Sequence, residues 1–422
     1  MKIENIHARQ LFDSRGNPTL EVEVDLGHGL MGSAIVPSGA STGKHEAVEL
    51  RDQTSRFAGK SVFRAVENVN TILNSSIIGM EVTSQREIDE KMIALDGSGN
   101  KSRLGANAIL GVSMAVAKAA ASSIGLPLYQ YLREEEEYIL PMPMIQMIGG
   151  GLHAGNVVDV QDYLIIPCKA GSFAEAMEIC FDVYHATKKI FEKRGLAPAV
   201  SDEGGFWPAF QSNETALEIL TEAIGAAGYL PGREVGIALD IASSHFYKNG
   251  KYELKADNKI ISTDEFIDFL ADWTNRYPII SIEDGCAEDD WEGWSKLTSR
   301  LGKKIQLIGD DLFTTSTERI QKGVSLHAAN AVLIKMNQIG TLTETLDAIG
   351  HTQGIGYNAV VSARSGETED TTMVDLCVAT AAGQIKVGSI TRSERLAKYN
   401  ELLRIEERLG SRATLYQWPS IT

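Results

Sequence analysis

The chain has 422 residues, 43% of them hydrophobic and 23% charged, with a formal net charge of −16. That length allows two or three domains and a core large enough to fold without disulfides or a structural metal. The acidic balance argues against nonspecific binding to nucleic acid or anionic membranes, but not against a small anionic substrate, because a metal ion and a few basic side chains can reverse the field locally.

The opening Met1-Lys-Ile-Glu-Asn-Ile-His7 lacks the apolar core of a signal peptide, and Cys168, Cys180, Cys286 and Cys377 are scattered without a CxxC pair. Both features point to a reducing cytoplasm and buried free thiols. Residues 19–25 alternate apolar and polar and read as a half-buried strand. Pro37 leads into Ser38-Gly-Ala-Ser-Thr-Gly43, which is either a surface turn or a mobile lid whose hydroxyls and backbone reach a ligand. Residues 107–124 are rich in Ala and Ser and carry Lys118, so they predict a tightly packed core helix rather than a membrane span. The acidic run Glu134 to Glu137 reads as a solvated junction. The chain is therefore expected to divide into an α+β domain over residues 1–135 and a β/α unit over residues 136–422.

The second unit opens irregularly. Residues 142–148 and 162–167 read as strands separated by a loop. Within that loop, Gly149-Gly-Gly-Leu-His-Ala-Gly155 is glycine-dense but lacks the strand-turn-helix context of a dinucleotide site. His153 is either a packed histidine or a site residue. A regular rhythm follows. Gly236-Ile-Ala-Leu runs into Asp240, Ile279-Ile-Ser-Ile into Glu283, and Ile305-Gln-Leu-Ile-Gly into Asp310 and Asp311. Ala331-Val-Leu-Ile runs into Lys335, and Asn358-Ala-Val-Val into Ser362 just before Arg364. Continuous apolar runs suit strands buried on both faces, and this repeat suits a β/α barrel whose active site lies at the C-terminal strand ends. An acid after a strand is often only a cap for the next helix, but lysine is not an N-cap residue. Three carboxylates converging with a lysine suit a hard divalent cation and an amine that nearby positive charge turns into a base.

Longer stretches resemble the enolase family from end to end. They are Asp13-Ser-Arg-Gly-Asn-Pro-Thr19, Pro37-Ser-Gly-Ala-Ser-Thr-Gly43, Asn107-Ala-Ile-Leu-Gly-Val-Ser113, Asp202-Glu-Gly-Gly-Phe206, Ser281-Ile-Glu-Asp284, Gly309-Asp-Asp-Leu312, Leu333-Ile-Lys-Met-Asn-Gln-Ile-Gly340, Arg364-Ser-Gly-Glu-Thr-Glu-Asp370 and Gly383-Gln-Ile-Lys386. The resemblance implies an α/β fold: an N-terminal α+β domain capping an enolase-type barrel that starts ββαα. It also implies a homodimer or larger homo-oligomer and two magnesium ions, the second arriving with substrate. Asp240, Glu283 and Asp310 would hold the first ion, and Ser41 would reach the second. Lys335 would remove the proton between carboxylate and phosphate oxygen, and Glu203, beside Asp162, would protonate the leaving hydroxide. Arg364 and Ser365 would bind phosphate, with Lys386, His153 and Gln161 lining the site.

The sequence departs from the family's pattern at four places. Gln161-Asp162-Tyr163 stands for Gln-Glu-Phe, and Ser362-Ala363-Arg364-Ser365-Gly366 for Ser-His-Arg-Ser-Gly. Gly149-Gly150-Gly151-Leu152-His153 stands for Asn-Gly-Gly-Ser-His, and Ser201-Asp202-Glu203-Gly204-Gly205 for Gly-Asp-Glu-Gly-Gly. The changes gather around the acid and the phosphate side and enlarge that end. Three functions are therefore carried forward. The first is magnesium-dependent interconversion of 2-phosphoglycerate and phosphoenolpyruvate, a small phosphorylated carboxylate pair. The second is the same dehydration on an analogue, such as the precursor of carboxyphosphonoenolpyruvate. The third is a non-catalytic binding role on the same scaffold.

Overall fold

Alternating apolar residues build the first layer. β1 (Asn5–Phe12), β2 (Pro18–Asp25) and β3 (Met31–Ile35) pair antiparallel in that order. Leu20, Val22 and Val24 are fully buried while Glu21, Glu23 and Asp25 between them are half-buried, as a period of two requires. They pack on the helix Ala106–Ser123, nearly all of whose side chains are buried. A Cβ at Gly32 would fall 2.4 Å from the carbonyl oxygen of Ala115, so only glycine lets strand and helix backbones approach this closely. Among the described residues no helix is long and apolar enough to cross a membrane. The structure is a computed structural model, and it describes residues 1–40, 42–196, 199–207 and 209–419.

β4 (Tyr138–Leu140) precedes the barrel, just after the exposed acidic run at residues 134–137. The barrel opens with β5 (Met142–Gly149), β6 (Asp162–Ile166), the helices Phe173–Lys193 and Glu214–Ala226, and β7 (Gly236–Asp240). This is the ββαα start. β8 (Tyr247–Lys248), β9 (Lys251–Leu254) and β10 (Lys259–Ser262) form a small side sheet. β11 (Ile279–Glu283), β12 (Gln306–Gly309), β13 (Ala331–Ile334), β14 (Asn358–Ser362) and β15 (Gly383–Gly388) then alternate with helices and close back on β5. β16 (Ala413–Leu415) lies parallel to β4. All barrel neighbours are parallel except β6, which runs against both β5 and β7. Reversal puts the start of β6, rather than its end, level with Asp240: Asp162 pairs with Asp240 in register.

The helices are capped by residues other than the strand-end acids. Ser262 makes a capping box with Glu265, and Asp290, Ser316 and Thr341 accept from backbone N–H groups of the helices they begin. Asp240, Glu283 and Asp310 are thus released from capping, and an explanation of these acids by helix capping alone fails. The four cysteines are buried and free.

Candidate active site

One cavity at the barrel mouth is lined by Gln161, Asp162, Glu203, Asp240, Lys335, Arg364, Ser365 and Lys386, together with Ser362, Ala363 and Val387. Glu283 and Asp310 join it through the lysines. Lys386 Nζ donates to Asp240 Oδ2 at 2.8 Å and to Glu283 Oε2 at 2.7 Å, with Asp162 Oδ2 at 3.8 Å. Lys335 Nζ donates to Asp310 Oδ2 at 2.5 Å, and Gln338 Nε2 donates to Asp310 Oδ1 at 2.8 Å. Gln161 Nε2 donates to Asp240 Oδ2 at 3.1 Å.

The charges do not balance locally. Lys386 is one cation between two buried carboxylates. Burial would raise the pKa of Asp240, but Lys386 outweighs it and holds this group below its ordinary range. Glu283 is pushed well above its ordinary range by burial and then by the charge of Asp240. The opposite directions follow from one ammonium serving two acids: it can fully compensate only one. Among the described residues Glu283 Oε1 is buried with no hydrogen-bond partner. Burial would lower the pKa of Lys335, but the negative charges around it, Asp310 first and then Glu283, together make the net shift upward.

Among the described residues a second group of acids lies close together. Carboxylate oxygens of Asp284, Asp310 and Asp311 lie within 4.8 Å of one another. Asp284 is occupied structurally: its oxygens accept from the N–H groups of Asp310 and Asp311 at 2.9 and 3.0 Å, fixing the turn after β12. Asp311 is raised to about 8 by burial and then by Asp310. Asp240 and Glu283 are instead bridged by Lys386.

The N-terminal layer completes the mouth. Ser38 and Gly366 exchange backbone hydrogen bonds at 2.8 and 2.9 Å, and Ala40 N–H donates to Ser365 Oγ at 2.7 Å. Residues 38–40, at the start of the loop after Pro37, are therefore docked on the barrel mouth rather than forming a remote surface turn. Glu46, three residues past the loop, accepts from Gly43 N–H at 2.9 Å and from Arg364 Nη1 at 2.9 Å. Asn337 Oδ1 also accepts from Arg364 Nη1 at 2.9 Å. Behind Arg364, the fully buried Arg395 donates to the carbonyls of Arg364 at 2.6 Å and Ser365 at 2.7 Å. Glu46→Ala removes the acidic hydrogen-bond partner of a buried guanidinium and should destabilise the protein by about 3–5 kcal/mol. The loss, read from urea midpoints, should shrink when inorganic phosphate supplies a replacement anion.

Ser41 lies outside the described residues. His153 sits in the short turn Gly151–Ala154, but its side chain also lies outside what is described. Sequence patterns missed Glu46, Asn337, Gln338, Asp284, Gln146 and Arg395. Asn337 and Gln338 carried a signal, since they follow Lys335 directly in the stretch Leu333–Gly340. Arg395 carried none.

A closed barrel with this ββαα opening, a capping α+β layer and a mouth of acids and lysines defines the enolase-type class of barrel enzymes. Residues 137–419 match the family description "Enolase, C-terminal TIM barrel domain" and residues 3–132 match "Enolase, N-terminal domain". The chain is 57% identical over 415 residues to "Enolase 1" of Desulfitobacterium hafniense (strain Y51), covering 98% of this chain and 95% of that protein. The chain belongs to the enolase family and is a hydro-lyase of that family.

Proposed function

We propose that this enzyme interconverts 2-phosphoglycerate and phosphoenolpyruvate with magnesium. The observation that supports this reading best is the single cavity shared by Lys335, Glu203, Arg364 and Ser365. Asp240, Glu283 and Asp310 fit a hard cation: they are oxygen donors, and Glu283 Oε1 is a buried carboxylate oxygen without a partner among the described residues. When bound, magnesium supplies concentrated positive charge that stabilises the added negative charge on the substrate carboxylate. Ser41 is assigned to the second ion.

The residues divide the work as follows. Lys335 takes the proton from the carbon between carboxylate and phosphate oxygen, which requires Asp310 to give up its hold on the ammonium. Glu203 delivers a proton to the departing hydroxide, with Asp162 beside it. Arg364 and Ser365 hold the phosphate, and Lys386 orients Asp240 and Glu283. Gln161 and His153 line the substrate. We place the enzyme in the cytoplasm, as a homodimer or larger homo-oligomer, without nucleic-acid or membrane partners. With 2-phosphoglycerate and magnesium in deuterium oxide, phosphoenolpyruvate and α-deuterated substrate should both appear, and chelation of the metal should stop both. Failure to form either would overturn the reading.

A second reading is favoured by one feature. Asp162 and Ala363, both smaller than the family's residues, line the same cavity as Glu203. A substrate analogue with an added carboxylate would use that room, held by Arg364 or Lys386 through charge-assisted hydrogen bonds. Asp162→Glu with Ala363→His distinguishes the two. Turnover of 2-phosphoglycerate should be preserved or raised in an ordinary enolase. A poor wild type that gains this activity through the double substitution would support the analogue instead.

A further inference from the structure

The sequence departs from the enolase pattern at four places, and three of them meet at one buried amide. Gln146, inside β5, is fully buried. Its Nε2 donates to Asp162 Oδ1. Its Oε1 accepts from Ser201 Oγ at 3.0 Å and from Gly205 N–H at 2.9 Å. Both ends of the amide are therefore engaged, and its orientation is set. Ser201 N–H donates to Gly205 O at 2.7 Å and closes the turn that carries Glu203. The carbonyl of Glu203 accepts from Ser389 N–H at 2.8 Å, which ties the turn to the end of β15.

Space makes the same connection. A Cβ at Gly205 would lie 2.6 Å from Gln146 Oε1, so a side chain there would displace the amide. A Cβ at Gly149 would lie 2.9 Å from both Cβ and Oγ of Ser201. The family pattern has asparagine where Gly149 stands and glycine where Ser201 stands. Here the side chain has moved from one wall to the other: the volume vacated at 149 is the volume Ser201 uses. The hydroxyl that arrives at 201 bonds Gln146, and Gln146 meets the carboxylate of Asp162, which is shorter than the family's glutamate.

We propose that Gln146 is a positioning residue that fixes Asp162 and the Glu203 turn relative to each other, and that Gly149 and Ser201 are one spatially coupled feature serving it. The proposal rests on the assignment of Glu203 as the acid. Gln146 touches neither the acid's carboxyl in any described hydrogen bond nor the base, so its loss should slow hydroxide departure while leaving proton removal by Lys335 in place. A purely structural role would lower both steps together.

The test uses the whole protein. Gln146→Met keeps the length of the side chain and removes all three of its hydrogen bonds. It should lower net dehydration of 2-phosphoglycerate by about tenfold or more, with α-proton exchange and KM within roughly threefold of wild type. Ser201→Ala, which deletes a single bond, should shift the same ratio in the same direction and serves if Gln146→Met does not fold. Equal loss of exchange and dehydration in the folded variant would overturn the positioning role. Thermal midpoints of Gly149→Asn, Ser201→Gly and the double variant test the coupling without any substrate. Each single change should lower the midpoint and the double should recover most of the loss; additive losses would overturn the proposal. If the wild type neither exchanges nor dehydrates 2-phosphoglycerate, the functional reading has failed, and the midpoints alone decide the coupling.

Discussion

Lys335→Ala should stop exchange of the substrate α-proton with solvent deuterium and lower turnover by about 10²–10⁴-fold, the usual contribution of a positioned general base. The expectation follows from where the amine sits. β13 ends at Ile334, and Lys335 follows as an extended residue whose N–H donates to Thr315 Oγ1 at 3.0 Å. That bond fixes the backbone of Lys335, and the 2.5 Å contact with Asp310 fixes its ammonium. Lys386, the other lysine of the mouth, is held by Asp240 and Glu283 together, so it is a poor substitute as a base. Glu203→Gln should behave differently, blocking net dehydration while some exchange persists, as the proposed order of proton removal before hydroxide loss requires. Exchange that survives in Lys335→Ala, measured by proton NMR, would remove Lys335 from the role.

Asp240→Ala should weaken magnesium binding by more than the roughly 10–100-fold that loss of an outer-shell partner costs. Asp240 accepts from both Lys386 and Gln161, so it is the carboxylate around which the mouth is organised. Its removal also changes the local charge. Lys386 would keep Glu283 at 2.7 Å and Asp162 at 3.8 Å, so the ammonium stays compensated. The fold should therefore survive. Calorimetric titration with magnesium, beside an unchanged circular dichroism spectrum, checks both halves. Wild-type affinity in the variant would exclude Asp240 as a ligand.

The parts of this site that were legible in the sequence are those where one strand carries the whole signal. A parallel strand buried on both faces reads as a continuous apolar run, so the ends of β7, β11, β12, β13 and β14 could be marked by Asp240, Glu283, Asp310, Lys335 and Ser362. The core helix was placed within one residue at each end for the same local reason: small residues let it lie on β3.

What escaped depends on pairing across the chain. β6 reads like any strand, and nothing within it says that it runs backward; the resemblance alone points to Asp162, and the reversal is what brings Asp162 rather than Ile166 to the mouth. Glu46 lies in a different layer from Arg364, and the buried pair exists only once the loop after Pro37 has docked on Gly366. Gln146 looks like a polar interruption of an apolar strand. Its use appears only when Asp162 and the turn of Glu203 are seen at its two ends. Glu283 stands out in the sequence as an acid at a strand end, and the resemblance makes it a ligand. That one of its oxygens has no hydrogen-bond partner among the described residues, beside an acid already paired with Lys386, is a property of the assembled mouth.

The most direct measurement is the turnover number of the wild-type enzyme on 2-phosphoglycerate at saturating magnesium. The proposed function predicts a kcat within the ordinary range of metabolic enzymes, roughly 1–10³ per second. A value several orders of magnitude lower, in protein that is folded and binds magnesium, would contradict it.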